Sequence, residues 1–106
     1  MSKDYGLFLE AIQKIRNYTN GLSLPTFTAD TKTFDAVIRN LEIIGEAVKL
    51  IPEDVRRLRP EVQWKRIARL RDILIHQYFG VDAQIVWDIV QNKLTPLEQA
   101  IRALLQ

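Results

Sequence analysis

Apolar residues recur every three or four positions along nearly the whole chain, and no stretch alternates apolar with polar residues as a half-buried strand would. Packed helices are the architecture this leaves. Tyr5, Phe8, Ile12 and Ile15 stripe a first helix expected from about Asp4 to Thr19, ended by Asn20-Gly21, where glycine takes the left-handed cap geometry at little cost. A loop through Leu24-Pro25 leads to the longest helix, from near Asp30 or Thr31 to Ile51, striped by Phe34, Val37, Leu41, Ile44, Val48 and Ile51. Gly45 sits in its middle at a cost of about 1 kcal/mol against alanine, which implies a close approach by another helix or a ligand.

Pro52-Glu53-Asp54 starts a short helix that Arg59-Pro60 ends. A fourth helix, from Val62 or Gln63 to about Phe79-Gly80, carries Ile67, Leu70 and Leu74 inward. Asp82 is the expected N-cap of a fifth, from Ala83 to about Lys93, with Ile85, Val86 and Ile89 inward and Trp87 beside them. Thr95-Pro96 opens the last, which turns Leu97, Ile101, Leu104 and Leu105 to the core. The expected fold is all-α: an up-and-down bundle of four to six helices forming a single domain over residues 1–106.

A chain of 106 residues buries one modest core, so a subunit interface is a natural second source of stability. With no cysteine and one histidine, a disulfide frame, a thiolate metal site and a multi-histidine metal site within one chain are all excluded. No metal or other cofactor is therefore expected. No apolar run approaches the roughly 20 residues of a membrane helix, and Met1-Ser2-Lys3-Asp4 opens no signal-peptide core. Cytoplasmic residence is the expectation.

The net charge of +2 is unevenly distributed. Arg56, Arg57, Arg59, Lys65, Arg66, Arg69 and Arg71 face the single acid Glu61 in one segment, a local +6 that leaves −4 for the rest. A basic flank of this kind suits a phosphate-bearing ligand, and Lys65, Arg66 and Arg69 are the expected RNA contacts. The bland alternative is a solvated helix face paired to Glu53, Asp54 and Asp72.

Chemistry enters at Arg71-Asp72-Ile73-Leu74-Ile75-His76-Gln77-Tyr78, which holds the only histidine. Histidine is the side chain best suited to move protons near neutral pH, and a guanidinium matches the charge of a phosphorus transition state. Arg71 and His76 therefore point to RNA cleavage, with Asp72, four residues before His76, fixing the imidazole tautomer. On an ideal helix Tyr78 shares the face of Arg71, while His76 is displaced from it by roughly 140°. Either the helix loosens near His76, or a second subunit completes the site. Attack by a ribose 2′-hydroxyl needs a base and an acid together, which one imidazole cannot supply, and a homodimer brings two. Taken singly, each residue has a plainer reading: His76 as a helix C-terminal cap, Arg71 as a partner of Glu42 or Glu46, Tyr78 and Phe79 as core, Trp64 and Trp87 as core or interface anchors.

Arg71, His76 and Tyr78, followed by Phe79-Gly80-Val81-Asp82 and Ile85-Val86-Trp87, resemble the HepT-like branch of the HEPN superfamily. The run from Asp35 to Ala47 looks like that branch's second signature, and Trp64-Lys65-Arg66-Ile67-Ala68 fits its approach to the catalytic helix. The resemblance implies a dimerising bundle and a metal-independent endoribonuclease toxin, paired with an MntA-type nucleotidyltransferase that silences it by moving AMP from ATP to the motif tyrosine. By that carry-over Tyr78 is the modification site. Arg39, Asn40 and Glu46 would support the cleft from the long helix, although the same pattern serves packing alone. Two other classes stay open: a non-catalytic nucleic-acid or nucleotide-binding companion of a nucleotidyltransferase, and a helical dimerisation domain without a nucleic-acid role.

Overall fold

The apolar stripes of the first and longest helices close against each other in the computed structural model, which describes residues 2–76 and 82–104. Within that span the side chains of residues 2–4, 71, 75 and 76 are outside the description. The order is α1 (Ser2–Thr19), α2 (Leu24–Ala29), α3 (Thr31–Lys49), α4 (Glu53–Arg56), α5 (Trp64–His76), α6 (Ala83–Asn92) and α7 (Leu94–Leu104), with no strand among the described residues.

Helix α3 is central: it packs most extensively against α5 and α1, α7 covers α1, and α6 touches α7 and α2. Its inward residues Val37, Leu41, Ile44 and Val48 are buried together with Phe8, Ile12 and Ile15 of α1, Leu74 of α5, and Leu97 and Ile101 of α7. Gly45 is buried on the same helix, consistent with a face that neighbours approach closely. α1 ends as its sequence requires, with Gly21 at φ 81° and Leu22 N donating to Thr19 O at 3.0 Å. Arg16 of α1 ties down α7 by pairing with Glu98 and by a 2.9 Å bond to Thr95 Oγ1.

The bundle has seven described helices, one more than the six read from the sequence. The addition is α2, in the segment expected to be a loop. Ser23 caps it: its N donates to Thr26 Oγ1 at 2.8 Å and its Oγ accepts from Thr26 N at 3.4 Å, with proline in the first turn. α2 then buries Phe27 against Trp87, ring centroids 5.0 Å apart, and beside Phe34 at 5.5 Å. A second correction concerns Ile85. It was expected inward but is 60% exposed, because α6 turns Val86 and Val90 to the core instead. No helix among the described residues is long and apolar enough to cross a membrane.

Candidate active site

Helix α5 carries most of the predicted chemistry, and one tryptophan fixes where it begins. Trp64 is buried, and its Nε1 donates to Arg56 O at 3.0 Å and Arg59 O at 2.9 Å. The indole thereby satisfies carbonyls at the end of α4 and anchors the basic turn to the start of α5. Leu74 at 1% exposure, with Ile67 and Leu70 partly buried, seats the helix on the core.

α5 is unbroken through His76. Positions 71 and 76 therefore keep the offset of a regular helix, roughly 140° around the axis and about 7.5 Å along it. Loosening before His76 is thus removed as a way to bring them together. The regular helix instead aligns positions 65, 69, 72 and 76, spaced i, i+4, i+7 and i+11, so that Lys65, Arg69, Asp72 and His76 share one face. The sequence spacing already contains that stripe, which is separate from the Arg71–His76 pair.

Of these residues, Lys65 and Arg69 are exposed, and Asp72 is 48% exposed and accepts at Oδ1 from Lys49 Nζ at 3.1 Å, tying α5 to α3. Asp72 also stands one turn before position 76 on the same face of α5. Arg66 is exposed and donates to Gln63 Oε1 at 3.1 Å. The side chains of Arg71 and His76 and the whole of Tyr78 lie outside the described residues.

The charge pattern divides at Trp64. Upstream, Arg57 pairs with Glu53 at 3.1 Å and Arg59 with Glu61 at 3.6 Å, which is the solvated, paired face of the bland reading. Downstream, Lys65, Arg66 and Arg69 have no acidic partner among the described residues. Unpaired cations therefore concentrate on α5, although Arg56 of α4 also has no acidic partner among the described residues.

Of the three residues expected to support a cleft from α3, the structure brings two to one hollow and places the third apart. Arg39 is 72% exposed and stands 3.7 Å from Glu42. With Glu46 it borders a hollow of about 270 Å³ that also includes the exposed Leu7 and Leu50. Asn40 points elsewhere: it is buried, and its Nδ2 donates to Ala36 O at 2.9 Å on its own helix. No group of three or more metal-ligating side chains occurs among the described residues.

A bundle with seven helices and no strand among the described residues, whose basic helix runs into a single histidine, defines an all-α domain of the HEPN-like class. Sequence comparison gives the narrower assignment. The family described as Ribonuclease HepT-like matches residues 8–104, and the chain belongs to that family. Ribonuclease is accordingly its enzyme class. Among its relatives is "Putative RNase MJ0127" of Methanocaldococcus jannaschii, 54% identical over 86 residues that cover 81% of this chain and 71% of that protein. "Probable ribonuclease HepT" of Thermococcus cleftensis is 49% identical over 89 residues, covering 84% and 81%. "Putative RNase TTE0752" of Caldanaerobacter subterraneus subsp. tengcongensis is 43% identical over 86 residues, covering 81% and 77%. No solved structure gives a significant match.

Proposed function

We propose that this chain is a metal-independent endoribonuclease that cuts RNA at a cleft between two copies of itself. The observation that carries the reading is the outward face of α5, where Lys65 and Arg69 lead along about 16 Å of helix to His76. Phosphates held by those cations would present a strand to the imidazole. Because Arg71 is on a different side of the same regular helix, a guanidinium and an imidazole meeting at one phosphate come most simply from two protomers related by a two-fold axis.

In such a cleft one neutral His76 takes the proton of the 2′-hydroxyl as its oxygen forms a bond to phosphorus. A second His76, protonated, gives its proton to the departing 5′-oxygen as the P–O5′ bond breaks. The products are a 2′,3′-cyclic phosphate and a 5′-hydroxyl, with no atom or electron left over. Arg71 neutralises charge on the non-bridging oxygens, and Asp72 orients one imidazole. The chemistry uses no metal ion.

The reading extends to a toxin–antitoxin pair, in which an MntA-type nucleotidyltransferase silences the enzyme by joining AMP to Tyr78. Family membership supports this, and so does the position of Tyr78 two residues beyond His76. An added phosphate and adenosine there would bring bulk and negative charge to a site that attracts phosphate. Mass spectrometry after co-expression with an MntA-type nucleotidyltransferase should find AMP on Tyr78 and none on a Tyr78→Phe chain. An adduct on another residue overturns the assignment.

For the enzyme itself, labelled RNA is incubated with purified protein in excess chelator. Cleavage to cyclic-phosphate ends supports the proposal. Retention of intact RNA would instead make the chain a binding companion of the transferase, and an Arg71→Ala protein that cuts normally would remove the guanidinium from the mechanism.

A further inference from the structure

Between α5, α6 and the start of α7 lies an open groove of about 620 Å³. Its floor and walls are aliphatic, among them Ile67, Leu70, Ile73, Ile85, Ile89 and Leu97. Ile73 is 42% and Ile85 60% exposed, unusual for isoleucines that face each other across one depression. The charged groups along its edge are Arg66, Arg69 and Lys93, none with an acidic partner among the described residues, and Glu61, which Arg59 already neutralises at 3.6 Å. The groove is thus an apolar trough with an unbalanced positive rim.

We propose that this groove docks an amphipathic helix with an acidic border, presented by another protein. A helix offers aliphatic side chains at i, i+3, i+4 and i+7, which suit a branched aliphatic trough, and glutamates or aspartates flanking that stripe would meet the three cations. The rim argues against a second copy of this chain. A two-fold contact centred on the groove would press Arg66, Arg69 and Lys93 towards their own counterparts with no phosphate between them, unlike the proposed cleft, where an RNA strand lies between the two α5 helices. The floor argues against RNA, because bases stack on aromatic rings and its lining has none among the described residues. RNA held along the outer face of α5 would still contend with the docked helix for Arg66 and Arg69.

The probe is a synthetic peptide of about 16 residues with leucines at helical spacing and glutamates beside them. It is titrated into the full chain carrying methyl-labelled isoleucine. Saturable shifts of Ile73, Ile85 and Ile89, weakening with salt and at least ten-fold weaker when lysine replaces glutamate, support the proposal. Ile85→Glu should reduce affinity at least ten-fold, and the exposed Lys93→Glu provides a second test should the first variant fold poorly. Four results would overturn it: no saturable shift, equal binding of the lysine peptide, groove shifts that depend on chain concentration without peptide, or the same methyls moved more strongly by single-stranded RNA.

Discussion

Asp72 has two roles available on α5, and they can be separated by experiment. It accepts from Lys49 at 3.1 Å, and it stands one turn before His76. Two unit charges at that distance attract by about 1 kcal/mol in water and about 5 at an effective dielectric near 20. Dehydration and side-chain ordering cancel most of this where the partners are 36% and 48% exposed, which leaves a net of about 0.2–1 kcal/mol. Lys49→Met should therefore lower the melting temperature by less than about 8 °C and leave RNA cleavage within about two-fold of the parent. Asp72→Asn should lose a similar stability but much more activity. Removing a buried orienting carboxylate costs serine proteases about 10⁴-fold, and a half-exposed one should fall well short of that, in the range of about 10- to 100-fold. Cleavage rates of both variants, measured at matched folded fraction, decide the matter. Equal losses in Lys49→Met and Asp72→Asn would show that Asp72 acts by tying α5 to α3, and the orienting role would be refuted.

Three further outcomes follow from the same structure. Leu74→Ala empties a fully buried position on the inward face of α5, so calorimetry should show a loss of about 2–5 kcal/mol and a melting point at least about 8 °C lower; a drop under about 4 °C would mean that α5 is not seated on that residue. The Arg16 and Arg102 guanidiniums hold the Glu98 carboxyl below its ordinary value of 4.5, so its contribution is complete above pH about 4.5 and is lost as pH falls through the lower, folded-state value. Acid titration of Glu98→Gln should accordingly show a shallower loss of stability than the parent's, and identical profiles would contradict the linkage. Lys65→Ala should weaken RNA binding and reduce the slope of log affinity against log salt by about 1, whereas an unchanged slope would remove Lys65 from the phosphate path.

Much of this was readable in the sequence wherever a single physical rule dominated. The stripe Val37, Leu41, Ile44 and Val48 is buried as its period demands, Asp30 and Asp82 cap α3 and α6 by accepting from Thr33 N and Gln84 N, and glycine ends α1 at positive φ. The failures came where two rules competed. Pro25 read as a loop residue, yet in the first turn it favours a helix once Ser23 and Thr26 cap each other. Ile85 fits the inward period of α6, but Val86 and Val90 satisfy the core and leave Ile85 on the groove. At the site, the alignment of Lys65, Arg69, Asp72 and His76 and the local pairs Arg57–Glu53 and Arg59–Glu61 required only neighbours in sequence, whereas the pairing of Asp72 with Lys49 of α3 depended on a tertiary neighbour. Asn40 likewise could not be placed by pattern: an amide in a helix can reach outward or back to its own turn, and burial selects the second.

The central claim is that the sole imidazole of this chain moves the protons of RNA cleavage. Its most direct test is the single-turnover rate of RNA cutting by a His76→Ala protein, compared with the parent in excess chelator and at equal folded concentration. The account predicts a loss of at least about 100-fold, the lower bound for removing a working general acid or base. A His76→Ala protein that cuts as fast as the parent would contradict it.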